Sequence, residues 1–154
     1  MPDPTPPGLL VCLSYYHPNV SGLTISAAEQ AEAFVRRGHP AAVICAQQKG
    51  TTAREVINGV AVFRSWMAGR IGKAPGMPLY PFTMWRALDR MSLVGIHMPC
   101  PEAGMAALIA RLRGRRVIIS YVTSISTADR ASRATRALAA VSHLLAGLLA
   151  DRIQ

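Results

Sequence analysis

The stretch "LLVCLSYYHPNVSGLTISAAEQAEAFVRRGHPAAVICA", residues 9–46, decides the fold. It opens on "LLVCL" (9–13), an unbroken apolar run of strand length, and closes on a second such run, "AAVICA" (41–46). Between them lie a loop holding Pro18 and Gly22 and a helical pattern from about Thr24 to Arg37. Within that pattern Ile25, Ala28, Ala31, Phe34 and Val35 fall on one face, the expected buried side of a helix. Gly38 stands where a terminating glycine is favoured, and Pro40 blocks any continuation. Two apolar strands joined by one helix predict parallel pairing with the helix packed on the sheet.

The same alternation continues outward. "EVINGVAVFR" reads as a hairpin turning at Asn58-Gly59, or as a turn feeding one strand. Residues 67–81, "MAGRIGKAPGMPLYP", hold three glycines and three prolines and read as loop. A helix through "FTMWRALDR" leads to the strand "SLVGIHM" (92–98), after which Pro99 and Pro101 start another helix. "RRVIISYV" (115–122) is a further strand. A last helix, about Ala131 to Ala150, carries Leu138, Val141, Leu145, Leu148 and Leu149 on its apolar side. The chain reads as a single Rossmann-like α/β domain over 9–154, a parallel sheet with helices on both faces, behind a disordered proline-rich leader, "MPDPTPPG", at 1–8.

With 154 residues and 51% hydrophobic side chains the chain can bury a core, which excludes a disordered protein. Seventeen basic residues against eight acidic give a formal charge of +9. Fifteen of the 17 are arginines, suited to phosphate or carboxylate, although a GC-rich genome produces the same bias. Cys12, Cys45 and Cys100 form no CxxC pair and predict a reduced, cytoplasmic protein. No apolar stretch reaches the roughly 18 residues of a membrane span.

Ligands of open parallel sheets bind beyond the carboxyl ends of the strands. The loop Tyr15 to Leu23 lies at that edge. Gly22 lets backbone approach a ligand there, and the helix start directs its free amides and positive dipole end at an anion. Neither GxGxxG nor GxxxxGK[ST] is present, so a dinucleotide fingerprint and a P-loop are excluded. His17, in this loop, is placed to touch a ligand, or is an ordinary loop residue. His97 ends a strand at the same edge and is a candidate for orienting a hydroxyl or moving a proton, against a structural histidine bonded to a loop carbonyl. Glu102 follows as a cleft carboxylate or as a residue answering the helix dipole. Thr123 and Ser124, in "SYVTSISTADR", line the same cleft, with no GxSxG context for a nucleophile. His39 and His143 have no assigned partner. "RLRGRR" (111–116) is a basic turn at the opposite edge, and scattered aromatics do not make a nucleic-acid surface, so no nucleic-acid partner is expected. No histidine or carboxylate spacing suits a metal.

The order of "YYHPNVSGLT", "RRGHPAAVI", "VINGVAVFR", "VGIHMPCPEAGMAALIARLRGRRVIISY" and "ALAAVSHLLAGLLADRI" resembles the N-terminal, acceptor-side half of a family-4-type glycosyltransferase of GT-B architecture, over residues 9 to 153. The resemblance implies that Ser21, Gly22 and Leu23 are the loop nearing the donor diphosphate and the acceptor, and that His97 and Pro99 match a strand end of the family, with Gly95 where the family has a further histidine. It places Val122 where the family has a cleft histidine and Ser124 where it has an acidic residue. It implies a nucleoside diphosphate sugar as donor substrate, no cofactor, and a separate donor-binding domain as partner, because the chain stops as its last strand should begin. It also admits a phosphorylated or membrane-bound acceptor, with the protein peripheral at the inner face of the membrane. The alternative is a degenerate or truncated non-catalytic module binding a phosphorylated ligand or a protein.

Overall fold

The computed structural model describes residues 7–72, 74–121 and 133–153. Strand β1, Gly8–Cys12, is buried along its whole length, as its unbroken apolar sequence requires. It pairs in parallel with β2, Ala41–Ala46, on one edge, and with β7, Met91–Met98, on the other. Beyond β2 lies β4, Val60–Ser65, then the antiparallel edge strand β3, Arg54–Ile57. Beyond β7 come β8, Arg116–Tyr121, and β9, Arg152–Ile153, both parallel. The sheet therefore has seven strands in the order β3-β4-β2-β1-β7-β8-β9, six of them parallel.

Chain direction explains the helix layers. The step from β1 to β2 through α1, Gly22–Arg36, runs one way across the sheet. The steps from β4 to β7 through α2, Tyr80–Ala87, from β7 to β8 through α3, Ala103–Leu112, and from β8 to β9 through α4, Arg133–Leu149, run the other way. Right-handed crossovers then place α1 on one face and α2, α3 and α4 on the other. Two cores result. Leu9, Val11, Val43 and Cys45 meet Ala27 and Ala31 of α1, while Leu10, Cys12, Ala42 and Ile44 meet Met84, Ala106 and Ala110.

Several sequence readings change in detail. The hairpin reading holds, with Asn58 and Gly59 at φ 51° and 82° closing β3 onto β4. The presumed loop 67–81 contains a small antiparallel ribbon, β5 (Gly69–Ile71) and β6 (Ala74–Gly76). Gly8 belongs to β1 rather than to the leader. Helix α1 starts two residues before Thr24, because Ser21 and Thr24 form a capping box. Ile25 is half exposed, and Thr24, Ala27, Ala28 and Ala31 form the buried side instead. The backbone of Arg152 and Ile153 pairs with Ile118 and Ile119 as a further parallel strand.

The outer half of the α2–α3–α4 layer is set by small residues. Gly104 of α3 donates its amide to Ser142 Oγ at 2.9 Å, and Ser142 Oγ donates to the Pro101 carbonyl at 2.7 Å. A Cβ on Gly104 would stand 2.8 Å from the Ser142 backbone oxygen. Ala146 is fully buried, whereas Val141, Leu145 and Leu148 face outward, the reverse of the expected apolar side. Close helix approach here needs small side chains, so the large ones are displaced to the surface.

Gly104→Ala should therefore lower stability by about 1–3 kcal/mol, since backbone has to give way. Gly147→Ala, a helical position with nothing within 4 Å of the added carbon, should raise it by about 0.5–1 kcal/mol. Urea denaturation followed by circular dichroism checks both signs.

Candidate functional site

The strand order reverses between β1 and β7: from β1 the chain goes to β2 on one side, and β7 lies on the other. Loops leaving the carboxyl ends of these two strands diverge and open a crevice, the preferred ligand position in such sheets. The loop after β1 runs from Leu13 to Ser21, and the turn after β7 runs from Pro99 to Glu102.

Arg64, at the carboxyl end of β4, fastens the first loop. Its guanidinium is buried, donates to the His17 carbonyl at 2.8 Å and to the Thr52 carbonyl at 3.2 Å, and pairs with Glu55. The His17 ring is half buried and meets the Tyr16 ring edge-on at 4.8 Å. Ser21 ends the loop as the helix cap: its hydroxyl accepts the Thr24 amide at 3.2 Å, and its own amide donates to Thr24 Oγ1 at 2.7 Å. With Ser21 used in this way, the groups left for a ligand at the start of α1 are the amides of Gly22 and Leu23. Gly22 is exposed, and open space extends for 4 Å around the position of a side chain there. Its value at this position is access, since no unusual φ demands a glycine.

His97 lies elsewhere than the crevice wall. Strand alternation turns it toward α1, where Nε2 and Gln30 Oε1 are 2.8 Å apart. It is 2% exposed and burial lowers its pKa, so it is a neutral ring. In this setting it ties α1 to β7, and its Nδ1 has no hydrogen-bond partner among the described residues. His39 leans on Phe34 at the far edge, and His143 is half buried on α4. Thr123, Ser124 and Val122 lie outside the described residues.

Glu102 is the titratable group that the fold brings to the crevice. It precedes α3, yet its side chain makes no capping bond. Its carboxyl accepts from Cys100 Sγ at 3.6 Å and forms part of the wall of a cavity of about 630 Å³. The other walls are apolar: Ile71 and Pro75 of the β5–β6 ribbon, Met77, Met105 of α3, and Val141 and Leu145 of α4. Burial raises the Glu102 pKa from its ordinary 4.5 to about 7, against the opposing pull of its own backbone amide and of Cys100. Arg70 of the ribbon sits 5.4 Å from the Tyr15 ring, so the ribbon reaches the loop after β1 there. The thiols of Cys12 and Cys45 are pushed up to about 12 by burial, and Cys100 rises as well, so none is a nucleophile at neutral pH. Among the described residues no cluster of histidine, cysteine or acidic groups can hold a metal.

The signature of the glycosyl transferase 4-like domain matches residues 21–153, from the α1 cap to β9. The chain belongs to that family. No curated protein aligns with it significantly. In this glycosyl transferase 4-like domain Gly22 and Leu23 open α1, Glu102 stands on the cavity wall, and His97 faces Gln30 of α1. Sequence reading missed the ribbon wall, since its glycines and prolines signal only an irregular segment, and it missed Arg64, which a strand pattern does not mark as buried. No described helix of this glycosyl transferase 4-like domain is long and apolar enough to cross a membrane.

The folded domain keeps Glu102 protonated up to about pH 7, while the unfolded chain releases that proton near 4.5. Folding takes up a proton between these values, so the contribution of Glu102 to stability is fully present below pH 4.5 and is lost as the pH rises through 7, a change of about 3 kcal/mol. Glu102→Gln should flatten this slope and exceed the wild type in stability at pH 8, as read from urea midpoints across the range.

Proposed function

We propose that this glycosyl transferase 4-like domain is the acceptor-side half of a retaining glycosyltransferase that uses a nucleoside diphosphate sugar, with a separate domain binding most of the donor. The observation that carries the reading is Glu102, a buried carboxyl raised to about pH 7 on the wall of an otherwise apolar crevice cavity. A carboxyl with that pKa accepts a hydrogen bond from an acceptor hydroxyl and can take up its proton near neutral pH. In the transfer, the hydroxyl oxygen bonds to the anomeric carbon as the bond from that carbon to the diphosphate breaks.

The exposed amides of Gly22 and Leu23 offer the departing diphosphate hydrogen-bond donors at a helix N-terminus. Two amides are too few to hold a nucleotide sugar alone. Glu102 is also the one titratable group among the cavity's lining residues, and this is what supports a second domain as partner. Retention of configuration rests on the family resemblance. Three buried, free cysteines fit a reducing compartment such as the cytoplasm.

The reading predicts that n-hexyl β-glucoside, which joins sugar hydroxyls to an apolar tail, stabilises the chain. At a hundredfold excess over its dissociation constant the gain is about 2.7 kcal/mol. Glu102→Leu should abolish that gain, and UDP-glucose alone should give none. Thermal melts decide the matter: stabilisation by UDP-glucose without any acceptor, or a hexyl glucoside effect indifferent to Glu102→Leu, overturns the proposal.

A further inference from the structure

The outward surface of the α2–α3–α4 layer is apolar where a helix layer normally meets water. Phe82 and Trp85 on α2, Leu108 and Leu112 on α3, and Leu144 and Leu148 on α4 are all exposed, with Leu112 and Leu148 at 72%. Spacings of three and four within each helix keep these residues in stripes, and the three helices lie side by side on one sheet face, so the stripes share one surface. Isolated exposed leucines are ordinary, but a contiguous group rimmed by charge marks an interaction surface.

The charge around this surface has one sign in excess. At its lower end, where α2 and α3 terminate, stand Arg86, Arg90, Arg111 and Arg113. Arg111 is paired with Asp151, and Arg113 with Asp89 while lying 4.5 Å over the Trp85 ring. Arg86 and Arg90 are exposed and, among the described residues, have no acidic partner. Leucines and aromatics beside unanswered arginines suit an apolar phase bordered by anions. A second copy of the chain fits less well, because it brings the same excess of positive charge and no anion to answer Arg86 and Arg90. Nucleic acid offers anions but no apolar phase for six large side chains.

We propose that the outer surface of the α2–α3–α4 layer docks on an anionic lipid bilayer, with the leucines and Trp85 entering the interface and Arg86 and Arg90 meeting lipid phosphates. This is independent of whether Glu102 binds an acceptor. In-plane attachment of this kind requires no membrane-spanning helix.

The test uses the full chain with vesicles of phosphatidylcholine alone or mixed with phosphatidylglycerol. The chain should sediment with the mixed vesicles and much less with the neutral ones. In a Trp66→Phe background, Trp85 emission should shift to the blue and be quenched by brominated lipid. Leu144→Gln with Leu148→Gln should weaken binding by about tenfold or more while leaving the melting temperature unchanged, since both side chains are already exposed. Arg86→Gln with Arg90→Gln should weaken binding to mixed vesicles by about tenfold or more and leave neutral vesicles unaffected. Failure of the wild-type chain to bind mixed vesicles, or leucine variants that bind as it does, overturns the proposal. So does a wild-type dimer that these leucine changes convert to a monomer without any vesicle binding, which assigns the surface to a second copy.

Discussion

Strand β1 is hydrogen-bonded along both edges and covered on both faces, and every other element takes its place from that double constraint. Five consecutive residues, Gly8 to Cys12, have no exposure to offer a polar side chain. Odd-numbered members serve the α1 core and even-numbered members the α2–α3 core. Because its neighbours β2 and β7 are reached by opposite routes, the loops at its carboxyl end part company. The crevice is thus a product of connectivity before any side chain is considered. The Gly22 and Leu23 amides and the Glu102 carboxyl are delivered by the two elements that leave this point in different directions.

The legible part of the fold was the part governed by strand burial. Continuous apolar runs identify β1 and β2, and the glycine and proline after Arg37 locate the end of α1. The helix faces were less legible, because periodicity says that a helix has two sides without saying which side faces inward. In α4 the larger residues look like a core stripe, yet approach to α3 at Gly104 and Ser142 admits only small ones. Ile25 was misread for the same reason. Its helix rests on the sheet through Thr24, Ala27, Ala28 and Ala31, and a flat apolar sheet accepts a helix most closely through alanine.

The site was legible in position and less so in detail. The rule that ligands gather at carboxyl ends of parallel strands led to Glu102 and the Gly22 loop. Alternation along β7 could have excluded His97 from the crevice, since it shares parity with Leu93 and Gly95 and not with Val94, Ile96 and Met98. Buried Arg64 is a separate lesson. A guanidinium in an apolar strand looks like an edge residue, but here it reaches three elements and binds them through the carbonyls of His17 and Thr52 and the carboxyl of Glu55. Such a charge is tolerated because both terminal nitrogens find partners, although Nε has none, and it ties the loop after β1 to the segment around β3.

Helix α4 keeps two kinds of information on separate registers of one sequence. Positions 142 and 146 determine how closely it seats on α3, and positions 144 and 148 determine what the outside world meets. Few substitutions can alter both at once. A lineage can therefore change the surface chemistry of this domain through many single steps, each nearly neutral for folding. The cavity wall, to which Val141 and Leu145 belong, stays in place while 144 and 148 change, so attachment and chemistry can diverge on independent evolutionary clocks.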